Sequence, residues 1–150
     1  MIAEQTVHAT SAEARCVFTA PVRGSAYLDA DWLRKVVCMD IYAFDVDETL
    51  EVSAGPIQIT TLRELAKEHI VGLCGNWALF VNAVRDWHTF ISFVGPMEMT
   101  KEAFLEQLAT HVKADNYFMV GNILGISGAS DDKGAAEKAG WQFIKENEMI

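Results

Sequence analysis

Residues 41–50 read IYAFDVDETL, and this stretch decides the fold that we predict for the chain. Its large apolar residues indicate a buried strand, and two acids, Asp45 and Asp47, follow with one residue between them. The acids would lie at the carboxyl edge of a sheet, where open α/β folds bind their ligands. A divalent cation is the simplest partner that would let both stay charged there. In the simpler alternative, the acids only cap a loop or bind a structural ion.

Apolar runs and turn signals extend the pattern on the carboxyl side of this stretch. Strands are predicted at residues 70–74, 90–94, 116–122 and 141–144, and helices after Thr61, over 77–87, over 101–112 and over 132–140. The Thr61-x-x-Glu64 spacing is that of a helix capping box, and Thr100 is the expected N-cap of the third helix. The alternation of strands and helices suggests parallel βαβ units.

The opening stretch resembles motif I of the haloacid dehalogenase-like (HAD) phosphohydrolase superfamily, an apolar strand followed by Asp-x-Asp-x-Thr-Leu. The resemblance implies that Asp45 is the nucleophile, which becomes an aspartyl-phosphate, and that Asp47 is the general acid and base. It also assigns Thr49 to the phosphate site. A carboxylate repels a phosphate dianion, so the attack needs a cation such as Mg²⁺ bridging Asp45 and the phosphate.

Two further segments resemble motifs II and III of the family. The strand at 70–74 ends at Gly75 and Asn76, where the family has Ser or Thr to hold a phosphate oxygen. The backbone N–H groups of Gly75 and Asn76, with the Asn76 amide, could still donate to phosphate, and equally Asn76 could be only the N-cap of the next helix. The motif III lysine, which contacts the nucleophile and the phosphate in the family, corresponds to Lys101. Lys113 is the alternative if the chain aligns with motif III in a different register.

Residues 116–140 resemble motif IV, in which Val-Gly-Asp, a loop and a second Asp precede an alanine-rich helix ending in Ala-Gly. The first acid, normally a metal ligand, is Asn122 here, whose amide oxygen can coordinate Mg²⁺ without contributing charge. Counting back from the Ala-Gly at 139–140 places the second acid at Asp132, with Asp131 beside it. Either could compensate as a direct or water-mediated metal ligand, and both could instead be the ordinary acids of a helix start.

The composition limits the partners of the chain. A net charge of −9, from 12 basic and 21 acidic residues, argues against a general nucleic-acid binder or an anionic membrane surface. Cys16, Cys38 and Cys74 form no Cys-x-x-Cys pair, which favours a reducing compartment. The amino terminus lacks the features of a secretory signal, and no apolar run approaches the length of a membrane span. We therefore expect a cytoplasmic protein.

Together these observations predict a HAD-like Rossmannoid α/β domain over residues 39–150, a three-layer sandwich around a parallel sheet of about five strands. The short spacing between the motifs leaves no room for a separate cap domain. Residues 1–38 are expected to form an arm that packs on the core or on a neighbouring subunit, which is compatible with a homo-oligomer. The resemblance implies a Mg²⁺-dependent phosphatase acting on a small or macromolecular phosphorylated substrate. The alternative is a catalytically weakened HAD-like binding or assembly module, because Gly75 and Asn122 replace reactive or charged groups.

Overall fold

The centre of the fold is a parallel sheet, which the computed structural model describes within residues 38–149. Its five strands lie in the order β3-β2-β1-β4-β5. Their bounds are β1 Ile41–Phe44, β2 Ile70–Cys74, β3 Phe93–Gly95, β4 Tyr117–Gly121 and β5 Gln142–Lys145. Phe44 of β1 lies beside Leu73 of β2 and Val120 of β4, so the strands end together at one edge. The predicted parallel α/β sheet is confirmed.

Helices cover both faces of the sheet because the strands are apolar on both sides, as buried parallel strands are. The helices are α1 Ile59–Leu65, α2 Trp77–Ala83, α3 Lys101–His111 and α4 Asp132–Lys138, and short 3-10 turns lie at Glu51–Ser53, Trp87–Thr89 and Glu146–Glu148. Successive side chains of β1 point to opposite faces. Phe44 packs with Leu62 of α1 and Phe80 of α2, whereas Ala43 belongs with Leu105 of α3 and Ala136 of α4 in a second core. The result is the predicted three layers.

Two polar contacts fix the position of α3 against the sheet. The indole N–H of Trp141, a buried residue just before β5, donates to the Leu105 carbonyl at 3.1 Å. The Tyr117 hydroxyl donates to the Val112 carbonyl at 2.8 Å and ties the end of the helix to the start of β4. Because α3 begins at Lys101, these contacts also determine where that lysine lies.

Several element boundaries differ from the sequence prediction. Helix α2 ends at Ala83 and not at residue 87, and Trp87 begins a separate 3-10 turn. Helix α1 begins at Ile59, so the predicted capping box at Thr61 is wrong. The Ile59 N–H is satisfied at 2.8 Å by the carboxylate of Glu51, a residue that spacing rules for a helix start do not consider. The third strand is also shorter than predicted, because Phe90 and Ile91 are buried in the turn that precedes it.

Between Cys38 and Met149 every helix packs on the central sheet, and no separate cap domain is present in this part of the chain. The same range contains no helix that is both long enough and apolar enough to cross a membrane. The predicted arm lies, apart from Cys38, outside the described residues and stays a prediction.

Candidate active site

The candidate site lies at the carboxyl edge of the sheet, between β1 and β4. The strand order runs outward from β1 in both directions, so this is the point where the connections change side, and open α/β sheets bind ligands there. The Asp45 N–H donates to the Val120 carbonyl at 2.8 Å, which brings the end of β1 beside Gly121 and Asn122. Residues from separate parts of the sequence therefore meet at this edge.

Asp45, Lys101 and Asp132 form a buried charged cluster. The ammonium nitrogen of Lys101 lies 2.7 Å from Asp45 Oδ1, 2.5 Å from Asp132 Oδ1 and 2.8 Å from Ser130 Oγ. All three of its N–H groups thus have an acceptor. Asp45 and Asp132 are 2% and 0% exposed, so both carboxylates depend on this lysine for neutralisation. Two carboxylates and one ammonium leave one net negative charge.

The protonation of the cluster follows from its burial. Burial raises the pKa of Asp45 to about 6 against the opposing attraction of Lys101, and the neighbouring Asp132 adds to the rise. Burial acts to lower the pKa of Lys101, but the two carboxylates outweigh it and the pKa is raised. Above pH 7 Asp45 is therefore mostly ionised and Lys101 is charged.

Thr49 contacts Asp45 directly, and Asn122 contacts Thr49. Thr49 is fully buried, and its Oγ1 lies 3.4 Å from Asp45 Oδ2 and 3.2 Å from Asn122 Oδ1. The Asn122 amide donates through Nδ2 to the Asp47 carbonyl at 2.7 Å, and its backbone N–H donates to Asp132 Oδ2 at 2.9 Å. Thr49, which the resemblance assigns to phosphate, here contacts the nucleophile candidate and the amide behind it.

Asp47 lies apart from the charged cluster and is exposed. Its Oδ1 accepts hydrogen bonds from Asn76 Nδ2 at 3.1 Å and from Ser53 Oγ at 3.3 Å. Asn76 is the N-cap residue of α2, but its side chain makes no capping bond. Ser53 was not a candidate from the sequence, because its position in a turn does not reveal which side chain it faces.

The two acids before α4 have different surroundings. Asp131 is exposed, and its Oδ1 accepts the Gly134 N–H at 3.0 Å, which caps the helix. Asp132 is buried and faces Lys101. Lys113, the substitute for Lys101, is exposed beyond the end of α3. The structure therefore brings Asp132 and Lys101 into the cluster and leaves Asp131 and Lys113 outside it.

Gly75 provides the space that Asp45 occupies. A Cβ atom at this position would lie 2.2 Å from Asp45 Oδ1, well inside van der Waals contact. The Gly75 N–H already donates to the Gly95 carbonyl at 2.8 Å, so this N–H is used within the sheet. A Ser or Thr side chain, which the resemblance to motif II would place at this position, would therefore displace the Asp45 carboxylate.

We expect Gly75→Ala to lower the free energy of unfolding by about 1–3 kcal/mol, because the new methyl group overpacks a carboxylate held by Lys101. Urea denaturation of a double-mutant cycle with Asp45→Ala checks the cause. In the Asp45→Ala background the clash is gone, and Gly75→Ala should cost much less. An equal cost in both backgrounds would show that the methyl group meets something other than Asp45.

Cys74 lies beside this edge and is fully buried. Burial raises the pKa of its thiol to about 12, with smaller contributions from the nearby charges. At neutral pH the thiol is therefore protonated, and the only reactive anions that the described cluster offers are carboxylates.

The oxygen donors at this edge suit a hard cation. Mg²⁺ prefers oxygen ligands, and this edge offers the Asp45 carboxylate, the Asp47 carbonyl and the Asn122 amide oxygen. The hydrogen bonds of Thr49 and Asn122 hold these groups together. Within residues 38–149 no group of three or more His, Cys, Asp or Glu side chains is arranged for a metal. Two of the three donors named above are neutral oxygens. In the structure the Asn122 amide donates to the Asp47 carbonyl, a hydrogen bond that a cation on that oxygen would replace.

Comparison of the chain with protein-family models, with curated proteins and with solved structures gives no match. The functional inference therefore depends on the geometry and chemistry of the residues themselves.

Proposed function

We propose that this chain is a HAD-like phosphomonoesterase that transfers a phosphoryl group to Asp45. The observation that carries the proposal is the Asp45 carboxylate itself, which is ionised above pH 7 and held between Lys101 and Thr49 at the ligand-binding edge of the sheet. A second carboxylate, Asp47, follows two residues later at the exposed side of the same loop. A nucleophile and a separate proton donor are what a two-step phosphoryl transfer requires.

In the first step an Asp45 oxygen forms a bond to phosphorus while the bond from phosphorus to the leaving oxygen breaks. The Asp47 carboxyl group gives its proton to that oxygen, and the product leaves as an alcohol. In the second step water attacks the phosphoryl group on Asp45, and the Asp47 carboxylate takes the proton from the water. Inorganic phosphate leaves, and Asp45 is restored. Lys101 holds Asp45 in place and neutralises part of the incoming charge.

A phosphate dianion entering this edge meets net negative charge from Asp45, Asp132 and Lys101 together. Mg²⁺ held by Asp45, the Asp47 carbonyl and Asn122, with Asp132 behind them, would reverse the sign of the local field and draw the phosphate towards Asp45. Substrate contacts to Thr49, Gly75 and Asn76 and a metal role for Asp131 stay predictions. A cytoplasmic location, which the sequence favours, and a homo-oligomer, with which the sequence is compatible, also stay predictions.

Hydrolysis of p-nitrophenyl phosphate in the presence of Mg²⁺ tests the proposal directly. The wild-type chain should release p-nitrophenol, and quenched reactions should contain phosphate bound to the protein. The variant Asp45→Asn should do neither. Unchanged turnover in this variant would exclude Asp45 as the nucleophile.

Asn122→Asp should make the stability of the protein depend on Mg²⁺. The new carboxylate cannot donate to the Asp47 carbonyl and lies near Asp45, so without metal we expect a loss of about 1–3 kcal/mol. Millimolar Mg²⁺ should restore the melting temperature, because a charged ligand binds the cation more tightly than an amide. Asn82→Asp, an exposed change on α2, is the charge-matched control and should show no such dependence. Equal Mg²⁺ responses of the two variants would contradict the assignment of Asn122.

One observation favours the alternative, a binding or assembly module without catalysis. The Asn122 amide satisfies the Asp47 carbonyl at 2.7 Å, so this part of the edge is stable without a cation. Calorimetric titration with Mg²⁺ separates the two proposals. Binding that is lost in Asp45→Ala supports the enzyme, and no binding at millimolar metal supports the module.

A further inference from the structure

Asp47 is held from two sides by side chains that belong to different loops. Asn76 stands at the junction of β2 and α2, and Ser53 ends the 3-10 turn that follows β1. Both donate to the same oxygen, Asp47 Oδ1, at 3.1 and 3.3 Å. Neither side chain uses this donor for a hydrogen bond within its own helix or turn. The two loops therefore fix one carboxylate oxygen in space.

The loop that carries Ser53 is itself well supported. The Glu51 N–H donates to the Ile57 carbonyl at 2.8 Å, and the Gly55 N–H donates to the Leu50 carbonyl at 2.9 Å. Ser53 Oγ also lies 3.4 Å from the Glu48 N–H, which can donate to it while the hydroxyl donates to Asp47. An exposed aspartate on an unsupported loop would sample several rotamers. Here Asp47 is held by a loop with its own hydrogen bonds.

We propose that Asn76 and Ser53 are positioning residues that hold Asp47 as the proton donor to the leaving group. This inference rests on the proposed phosphatase function and deepens it. When the carboxyl group is protonated, an oxygen that accepts two hydrogen bonds is the carbonyl oxygen, so the proton resides on Oδ2. In the first step the Oδ2 proton passes to the leaving oxygen as its bond to phosphorus breaks. The carboxylate then remains with Oδ1 still held by both donors.

The chemistry of the leaving group provides a readout that a purely structural role would not change. An alkoxide is a poor leaving group and needs the proton, whereas p-nitrophenolate leaves without one. Misplacement of Asp47 should therefore slow hydrolysis of an alkyl phosphate much more than that of an aryl phosphate. A residue that binds phosphate should instead affect both substrates equally, because both carry the same phosphoryl group.

The experiment compares kcat/KM for β-glycerol phosphate and p-nitrophenyl phosphate, with Mg²⁺, in the full chain and its variants. We expect Asn76→Ala and Ser53→Ala each to lower the ratio of kcat/KM for β-glycerol phosphate to kcat/KM for p-nitrophenyl phosphate by about 10-fold. This is a part of the roughly 10²–10⁴-fold that a general acid contributes. The double variant should approach the ratio of Asp47→Asn. Ser53→Thr keeps the hydroxyl and should restore the wild-type ratio. Melting temperatures close to that of the wild type establish that the variants are folded, which is expected since Asn76 is exposed.

Equal losses for both substrates would overturn the proposal and assign Asn76 or Ser53 to phosphate binding or to the fold. An unchanged ratio in the double variant would overturn it as well. Failure of the proposed function gives a different result, since the wild-type chain would then hydrolyse neither substrate.

Discussion

Asp45→Asn should remove the proposed phosphatase activity, by about 10³-fold or more, and should raise the stability of the protein at pH 7.5. The carboxylate of Asp45 is 2% exposed, and its pKa in the folded chain is about 6 against 3.8 as its ordinary value. Folding therefore disfavours the ionised form. An amide has the same shape and no charge, so the substitution should add up to about 3 kcal/mol to the free energy of unfolding.

The dependence on pH identifies the cause of this gain. Well below pH 3.8 the acid is protonated in both the folded and the unfolded chain, so its ionisation contributes no difference in stability between the wild type and Asp45→Asn. As the pH rises from about 4 to about 6, the unfolded chain ionises while the folded chain keeps its proton, and the wild type loses stability relative to the variant. Melting temperatures across this range measure the difference. Asp131→Asn, at an exposed cap where Asn serves as well, is the matched control. A difference that does not grow with pH would contradict the buried charge as its origin.

Lys101→Met should lower the free energy of unfolding by about 3–5 kcal/mol at pH 7.5, the largest loss of stability that we expect from a single substitution in this domain. The change leaves Asp45 and Asp132 facing each other in a buried site without a cation. It should also remove activity, because Asp45 loses the group that holds it. Urea denaturation provides the measurement, and Lys113→Met on the exposed surface should change stability little.

Two further results would support this explanation of the lysine. The loss should shrink as the pH falls towards 5, since protonation of Asp45, whose pKa is raised to about 6, then relieves its repulsion with Asp132. Asp45→Asn should also rescue part of the stability of Lys101→Met, because one of the two unpaired charges is gone. A loss that is independent of both pH and Asp45 would show that the aliphatic part of the lysine, and not its charge, matters.

The sequence predicts those parts of the fold and the site that local patterns determine. Asp45 follows an apolar strand and Thr100 caps the helix that Lys101 opens, so these elements follow from the strand and helix pattern. The contact of Lys101 with Asp45 is predicted only by the resemblance to motif III, because a lysine in a first helical turn is usually exposed. Asp131 and Asp132 could not be separated in this way, because a shift of one residue around a helix start decides which acid caps the helix and which is buried.

The remaining features depend on contacts between distant segments. The start of α1 is set by Glu51, which lies outside the helix, and the spacing Thr61-x-x-Glu64 therefore misleads. Asn76 can cap a helix, contact a ligand or reach Asp47, and only the neighbouring loop decides among them. The same holds for Ser53, because its hydrogen bond to Asp47 depends on the fold of the loop and not on a local sequence pattern.

The order of strands in the sheet has a consequence for how the charged cluster is assembled. The first half of the described chain forms β3-β2-β1, and the second half adds β4 and β5 to the other side of β1. A cut between Gly95 and Thr100 would thus leave Asp45 and Asp47 on one fragment and Lys101 with Asp132 on the other. The ion pairs form only after the two fragments associate, so complementation of split fragments would restore the proposed activity only after β1 and β4 have paired.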